Sequence, residues 1–259
     1  MSLFADWCDA AKEKEKCKHY WTFVEKAKGR DAIRERLAAT MRSHYDRQER
    51  IAEDVARLGY AGAAEILRTH LPRTKKARSG EIGEILATEL LEDQTGFRVP
   101  VRRLRYKDGR EMALRGDDFI GAAYEADDKL WLLKGEAKSN KTLAAATIAK
   151  ARQALSRDGG RCTPESLLFV ANQLLESSDP DAQALGRAMR DEIGCKALRP
   201  SRIDHMLFTL SGNVPPAALK DDLTAASDDR THYTVNLRIE DHQEFIAAMF
   251  EEAQKLGDS

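Results

Sequence analysis

The sequence predicts an α/β fold, a mixed β-sheet flanked by helices, with a helical N-terminal region ahead of it. Three observations carry this. Short apolar or alternating runs at residues 97–104, 118–124, 129–138, 203–210 and 233–239 have the length and boundaries of strands. Longer stretches with helical spacing separate them, and the order of helix, antiparallel strands, helix and further strand builds a sheet of mixed direction covered by helices. No Gly-rich phosphate motif stands between a strand and a helix, which argues against a Rossmann fold, a P-loop and ATP binding.

Residues 1–72 read as helices. Charged faces at 12–18 and 42–50 alternate with apolar positions such as Ile51, Val55 and Leu58, and Gly59 and Gly62 interrupt the pattern. The region has aromatics but no catalytic constellation, so packing or partner contact is its expected role. A second unit is expected over 73–259. After Pro72 and a basic linker, a helix is predicted at 80–93, capped by Ser79, closed by Gly96 and burying Ile82, Ile85, Leu86 and Leu90. Glu81 and Glu84 are neighbours on its surface, and either could supply a metal-facing carboxylate. Glu81 also suits the helix dipole in a first turn. Gly83 would allow close backbone packing at a small cost in helix propensity.

The strands at 97–104, 118–124 and 129–138 come next, followed by an alanine-rich helix at 141–157 that Asp158-Gly159-Gly160 breaks. Pro164 and Pro180 start two more helices, running toward Leu175 and Ile193. Strands at 203–210 and 233–239 precede a terminal amphipathic helix at 241–256 carrying Phe245, Ile246, Met249 and Phe250.

The chain has 259 residues, enough for a proper core. Its 42 basic and 43 acidic residues leave a formal charge of -1, so any attraction to nucleic acid must be local. A local basic cluster exists: Arg73, Lys75, Lys76 and Arg78 precede the first helix of the second unit, and Arg98, Arg102, Arg103, Arg105, Lys107 and Arg110 follow it. These residues suit either phosphate neutralisation or solvated loops and sheet edges. Cys8, Cys17, Cys162 and Cys195 are scattered, without zinc-ligand spacing. No apolar signal core or membrane span is visible, and a cytoplasmic location is expected.

The chemistry concentrates at Gly135-Glu136-Ala137-Lys138, which ends the apolar run 130–133, and at Asp117-Asp118, about one hairpin upstream. Glu136 and Lys138 share a strand face. Two carboxylates converging from neighbouring strands can hold Mg²⁺ (or Mn²⁺), and a lysine beside them can orient a water or stabilise developing negative charge. The hairpin register decides whether they meet. A two-residue turn at Asp127-Asp128 would set Asp118 opposite Ala137, whereas a three-residue loop, Ala126-Asp127-Asp128, sets Asp118 opposite Glu136. The second register is predicted, with Asp118 as the ligand and Asp117 on the face of Ala137.

The helix with Gly83-Glu84, the Asp118 strand and Glu136-Ala137-Lys138 together resemble the restriction-endonuclease-like core of the PD-(D/E)XK nuclease superfamily. Leu104-Arg105-Tyr106-Lys107-Asp108, Met112-Ala113-Leu114-Arg115-Gly116-Asp117-Asp118 and Lys134-Gly135-Glu136-Ala137-Lys138-Ser139 are more specifically similar to HamA, the nuclease subunit of bacterial Hachiman anti-phage systems. This resemblance covers roughly residues 80–140. It implies a Mg²⁺- or Mn²⁺-dependent DNase beside a superfamily 2 helicase, HamB, which supplies the ATP-driven step and restrains the nuclease until phage-related DNA damage is sensed. By position, Asp118 and Glu136 would bind metal, Lys138 would serve the attacking water, and Glu84, or Glu81 in its place, would be the helix carboxylate. Two other readings fit the same residues: a non-catalytic adaptor that docks a partner through the N-terminal helices or the Phe245/Phe250 helix, and a stand-alone restriction-type endonuclease.

Overall fold

The structure, a computed structural model, describes residues 2–112, 115–124 and 129–256. Along the chain come α1 (Leu3–Trp7), β1 (Cys8–Glu15), β2 (Lys18–Glu25), α2 (Gly29–Tyr45), α3 (Gln48–His70) and α4 (Lys75–Gln94). Then follow β3 (Phe119–Tyr124), β4 (Leu130–Asn140), α5 (Ala145–Ser156), α6 (Pro164–Leu175) and α7 (Pro180–Cys195). The chain ends with β5 (Ile203–Ser211), α8 (Ala217–Ala225), β6 (His232–Arg238) and α9 (His242–Ala253). The strands form one mixed sheet in the order β1-β2-β6-β5-β4-β3. The β1–β2 and β3–β4 pairs are antiparallel, and β2, β6, β5 and β4 pair in parallel. This is the predicted mixed sheet flanked by helices, and it is compatible with a nuclease-like core.

Side-chain alternation divides the sheet between two cores. Leu133, Met206, Phe208, Leu210, Val235 and Leu237 pack with Phe4 and Trp7 of α1, Ile33 and Leu37 of α2, Ile82, Ile85 and Leu86 of α4, and Phe245 and Phe250 of α9. On the other face, Leu130, Leu132 and Ile203 meet Leu167 and Val170 of α6 and Met189 of α7, while Leu207 meets Ile148 of α5 and Leu219 of α8. Phe245 and Phe250 are fully buried, so the face of α9 proposed for docking is core.

The N-terminal region is mostly helical, as expected, with one departure. Residues 8–25 form the β1–β2 hairpin, because the run Tyr20, Trp21, Thr22, Phe23 and Val24 is aromatic and β-branched. The Lys/Glu alternation of 12–18, expected as a helix face, is instead strand alternation around a turn at Lys16, whose φ is 53°. Since β2 pairs with β6, residues on both sides of position 72 share one sheet and one core.

Other boundaries also move. The helix expected at 80–93 starts earlier, because the Thr74 hydroxyl caps it by accepting from the Ala77 N–H at 3.3 Å. Ser79 therefore lies inside α4 and hydrogen-bonds Ser139. The strand expected at 97–104 reduces to a single bridge, Arg98 to Ala122, and a 3-10 turn, Arg103–Tyr106. Pro100 has no N–H to offer a ladder, and the Val99 N–H donates to the Glu92 carboxylate at 2.7 Å. The helix α8 was not foreseen. Among the described residues no helix is long and apolar enough to cross a membrane.

Candidate active site

The predicted hairpin register is the one observed. Phe119 pairs with Gly135 and Tyr124 with Leu130, and continuing that pairing sets Asp118 opposite Glu136. The loop Ala126-Asp127-Asp128 itself lies outside the described residues. The ladder stops at Phe119, so the edge of β4 beyond Gly135 has no strand beside it. Asp118 fills part of that gap: its carboxylate accepts the Ala137 N–H at 2.8 Å, while its own N–H donates to the Gly135 carbonyl at 3.2 Å. Close packing makes this possible. A Cβ on Gly135 would fall 2.2 Å from the Phe119 ring, and one on Gly83 would fall 3.2 Å from the Ser139 Cβ, so α4 lies against β4 as the glycine suggested.

Strand alternation does not extend to Asp117. Gly116 adopts φ 91°, and Asp117 turns away from the face of Ala137 to meet the buried Lys134 at 3.5 Å and accept the Thr163 N–H at 2.7 Å. Asp117 therefore does not share the face of Ala137 as expected. Asp117 is tied to the interior, and Asp118 faces a cleft of about 790 Å³ lined also by Glu84, Ala137, Lys138, Lys75, Lys76 and Lys141.

Glu84, Asp118 and Glu136 are three carboxyls that burial holds toward the protonated form. Burial pushes the Glu84 carboxyl up to about 8, with the Asp118 charge adding to the effect. Burial and then Asp118 push Glu136 up to about 7, against the pull of Lys138, with which it forms an ion pair. Asp118 is itself raised by burial, and Lys138, the Ala137 N–H, Arg103 and Arg157 oppose that shift. Asp118 is thus the neighbour common to the other two carboxylates. Glu81, the alternative, is committed elsewhere: it accepts the Tyr45 hydroxyl at 2.7 Å and pairs with Lys107.

Among the described residues, no group of three or more His, Cys, Asp or Glu side chains is already gathered to hold a metal ion. Glu136 is instead drawn to Lys138, and Asp118 to the Ala137 N–H. The donor set nonetheless suits a hard divalent cation. It consists of oxygens, and its carboxyls are held above their usual range by burial and mutual repulsion, a state that an added positive charge relieves.

The predicted nucleic-acid residues divide. Lys75 and Lys76 line the cleft, whereas Arg73 and Arg78 line a smaller depression beside it. Arg78 also donates to the Pro72 carbonyl and lies over the Phe250 ring. Arg102 is paired with Glu89 and Glu92, Arg103 is buried and donates to the Arg115 carbonyl, and Arg105 donates to the Ser43 carbonyl. These last three hold the fold together. Sequence reasoning missed Arg157, whose charge acts on both Asp118 and Glu136; its only signal was its place just before the Asp158-Gly159-Gly160 break.

With this geometry in place, comparison with known proteins adds a finding over nearly the whole chain. A sequence model of the HamA family matches residues 1–253. The chain belongs to the HamA family. A relative from Bacillus cereus, the Hachiman protein HamA, is 25% identical over 183 residues, which is 71% of this chain and 63% of that protein. The alignment thus spans under two thirds of the relative's length.

Proposed function

We propose that this HamA-family chain is a divalent-metal-dependent deoxyribonuclease, the effector of a two-component anti-phage complex whose other member is a helicase that restrains and activates it. The observation that carries this reading is the meeting of Glu84, Asp118 and Glu136 around the free edge of β4, with Lys138 beside Glu136. Family membership and the Hachiman name of the Bacillus cereus relative support the defence context.

In this proposal Asp118 and Glu136 hold Mg²⁺ or Mn²⁺, with Glu84 on α4 supplying the third carboxylate. The bound ion supplies Lewis-acid polarisation of the phosphoryl oxygen and a more acidic water. The chain's own residues do the rest. Releasing Lys138 from Glu136 frees its ammonium to orient the attacking water or to meet charge developing on the phosphate. The Ala137 N–H anchors one oxygen of the Asp118 carboxylate, which limits its rotation. Lys75, Lys76 and Lys141 give the cleft a positive lip for the DNA backbone. Such contacts position a backbone without reading bases, which favours this role over that of a restriction-type enzyme.

The experiment is DNA cleavage by the chain with Glu136→Ala and Lys138→Ala combined, checked for folding by circular dichroism. A folded double variant that still cuts as well as the parent would sink the assignment and favour the adaptor.

A further inference from the structure

Between α5 and α6 the chain passes through three successive residues of positive φ: Asp158 at 56°, Gly159 at 67° and Gly160 at 78°. A left-handed conformation is unfavourable for a residue with a Cβ, so the turn needs holding. Buried groups from three places hold it. The Lys134 ammonium, 1% exposed, donates to the Arg157 carbonyl at 3.0 Å and the Arg161 carbonyl at 2.8 Å. The Gly160 carbonyl lies 2.7 Å from His205 Nε2 and accepts from the Arg230 guanidinium at 2.6 Å.

These contacts also locate the turn. Lys134 and Glu136 are two residues apart on β4 and share a face, so the turn held by Lys134 lies over the face that carries Glu136. What it presents there is Arg157. This residue is exposed, and among the described residues its side chain makes no hydrogen bond or ion pair. Its charge nevertheless reaches both Asp118 and Glu136, favouring their ionised forms.

We propose that Arg157 binds the phosphodiester of the DNA substrate from the face of β4 opposite α4, an inference that rests on the nuclease reading. A guanidinium offers paired N–H donors that match two phosphate oxygens, a geometry lysine cannot copy. With Lys75 and Lys76 on the α4 side, a strand crossing the free edge of β4 meets positive charge on both sides. The rigid turn sets where the guanidinium starts from, so little order has to be created when DNA arrives. Buried Lys134, His205 and Arg230, which have no place in the cleft chemistry, become the support of a substrate contact.

The test uses the full chain with Arg157→Ala and Arg157→Lys. It compares kcat and KM for cleavage of a labelled oligonucleotide duplex in Mg²⁺ or Mn²⁺, and measures binding in EDTA by fluorescence anisotropy across NaCl concentrations. Arg157→Ala should nearly keep the parental melting temperature, since the exposed side chain makes no hydrogen bond or ion pair with the described residues, while kcat/KM falls about 100-fold. The slope of log affinity against log salt should shrink by about one. Arg157→Lys should restore that slope and leave kcat low. Unchanged cutting and salt slope in Arg157→Ala, beside an active parent, would overturn this inference alone. A parent chain that cuts no DNA with either metal, with or without the partner helicase, would overturn the nuclease reading and this inference with it.

Discussion

Burial raises the Glu84 carboxyl to about 8 and that of Glu136 to about 7, and in the proposed metal site both would ionise to hold a cation. Cleavage should therefore rise with pH between about 6 and 8, and raising the metal concentration should move the rise to lower pH, because the cation competes with the proton. A pH–rate profile at two Mn²⁺ concentrations checks this; a flat profile would count against it. The same shifts set the sign for stability. A carboxyl raised in the folded state binds more protons there than in the unfolded chain, so its contribution is full below the unfolded value near 4.5 and is lost as pH rises through about 8. Metal-free Glu84→Gln should accordingly melt several degrees higher than the parent at pH 8.5, a gain on the order of 1–2 kcal/mol, and should be stabilised less by added Mn²⁺. Equal melting temperatures at that pH would contradict the assigned burial and repulsion.

At the scale of elements, the site depends on how closely α4, β3 and β4 approach. Gly135→Ala would drive a methyl into the Phe119 ring and should destabilise the chain by about 1–3 kcal/mol in urea unfolding. Gly83→Val would push α4 away from Ser139 and carry Glu84 with it, so cleavage should fall more than stability does. Some of this was legible in the sequence. The register of the β3–β4 hairpin followed from parity, and the helices beginning at Pro164 and Pro180 followed from proline at a first turn. Other parts were not legible, for physical reasons. Alternating lysine and glutamate at 12–15 satisfies strand and helix patterns alike on an exposed edge. Pro100 made 97–104 a poor ladder in spite of its apolar run. The turn at 158–160 read as a simple break, because nothing local reveals that a lysine on β4 and an arginine before β6 will hold it.

Over the whole molecule, one sheet joins the chain's beginning to its end. Trp7 and Phe23 lie in the same core as Phe245 and Phe250, and β2 pairs along the length of β6. A chain beginning at residue 73 should therefore lack its β6 neighbour, expose that core and unfold with lost cooperativity, whereas the intact chain should melt in one transition by calorimetry. A truncated chain that melts sharply would contradict this picture. The central claim, that the carboxylates around the edge of β4 cut DNA, has a more direct test. Plasmid and linear DNA would be incubated with the purified chain in Mg²⁺ or Mn²⁺, against EDTA and the Glu136→Ala/Lys138→Ala double variant, with and without the partner helicase. The account predicts metal-dependent cutting that is lost in EDTA and falls about 1,000-fold or more in the double variant, with a marked difference between free and partnered chains. Cutting that persists in the folded double variant, or no cutting in any condition, would contradict it.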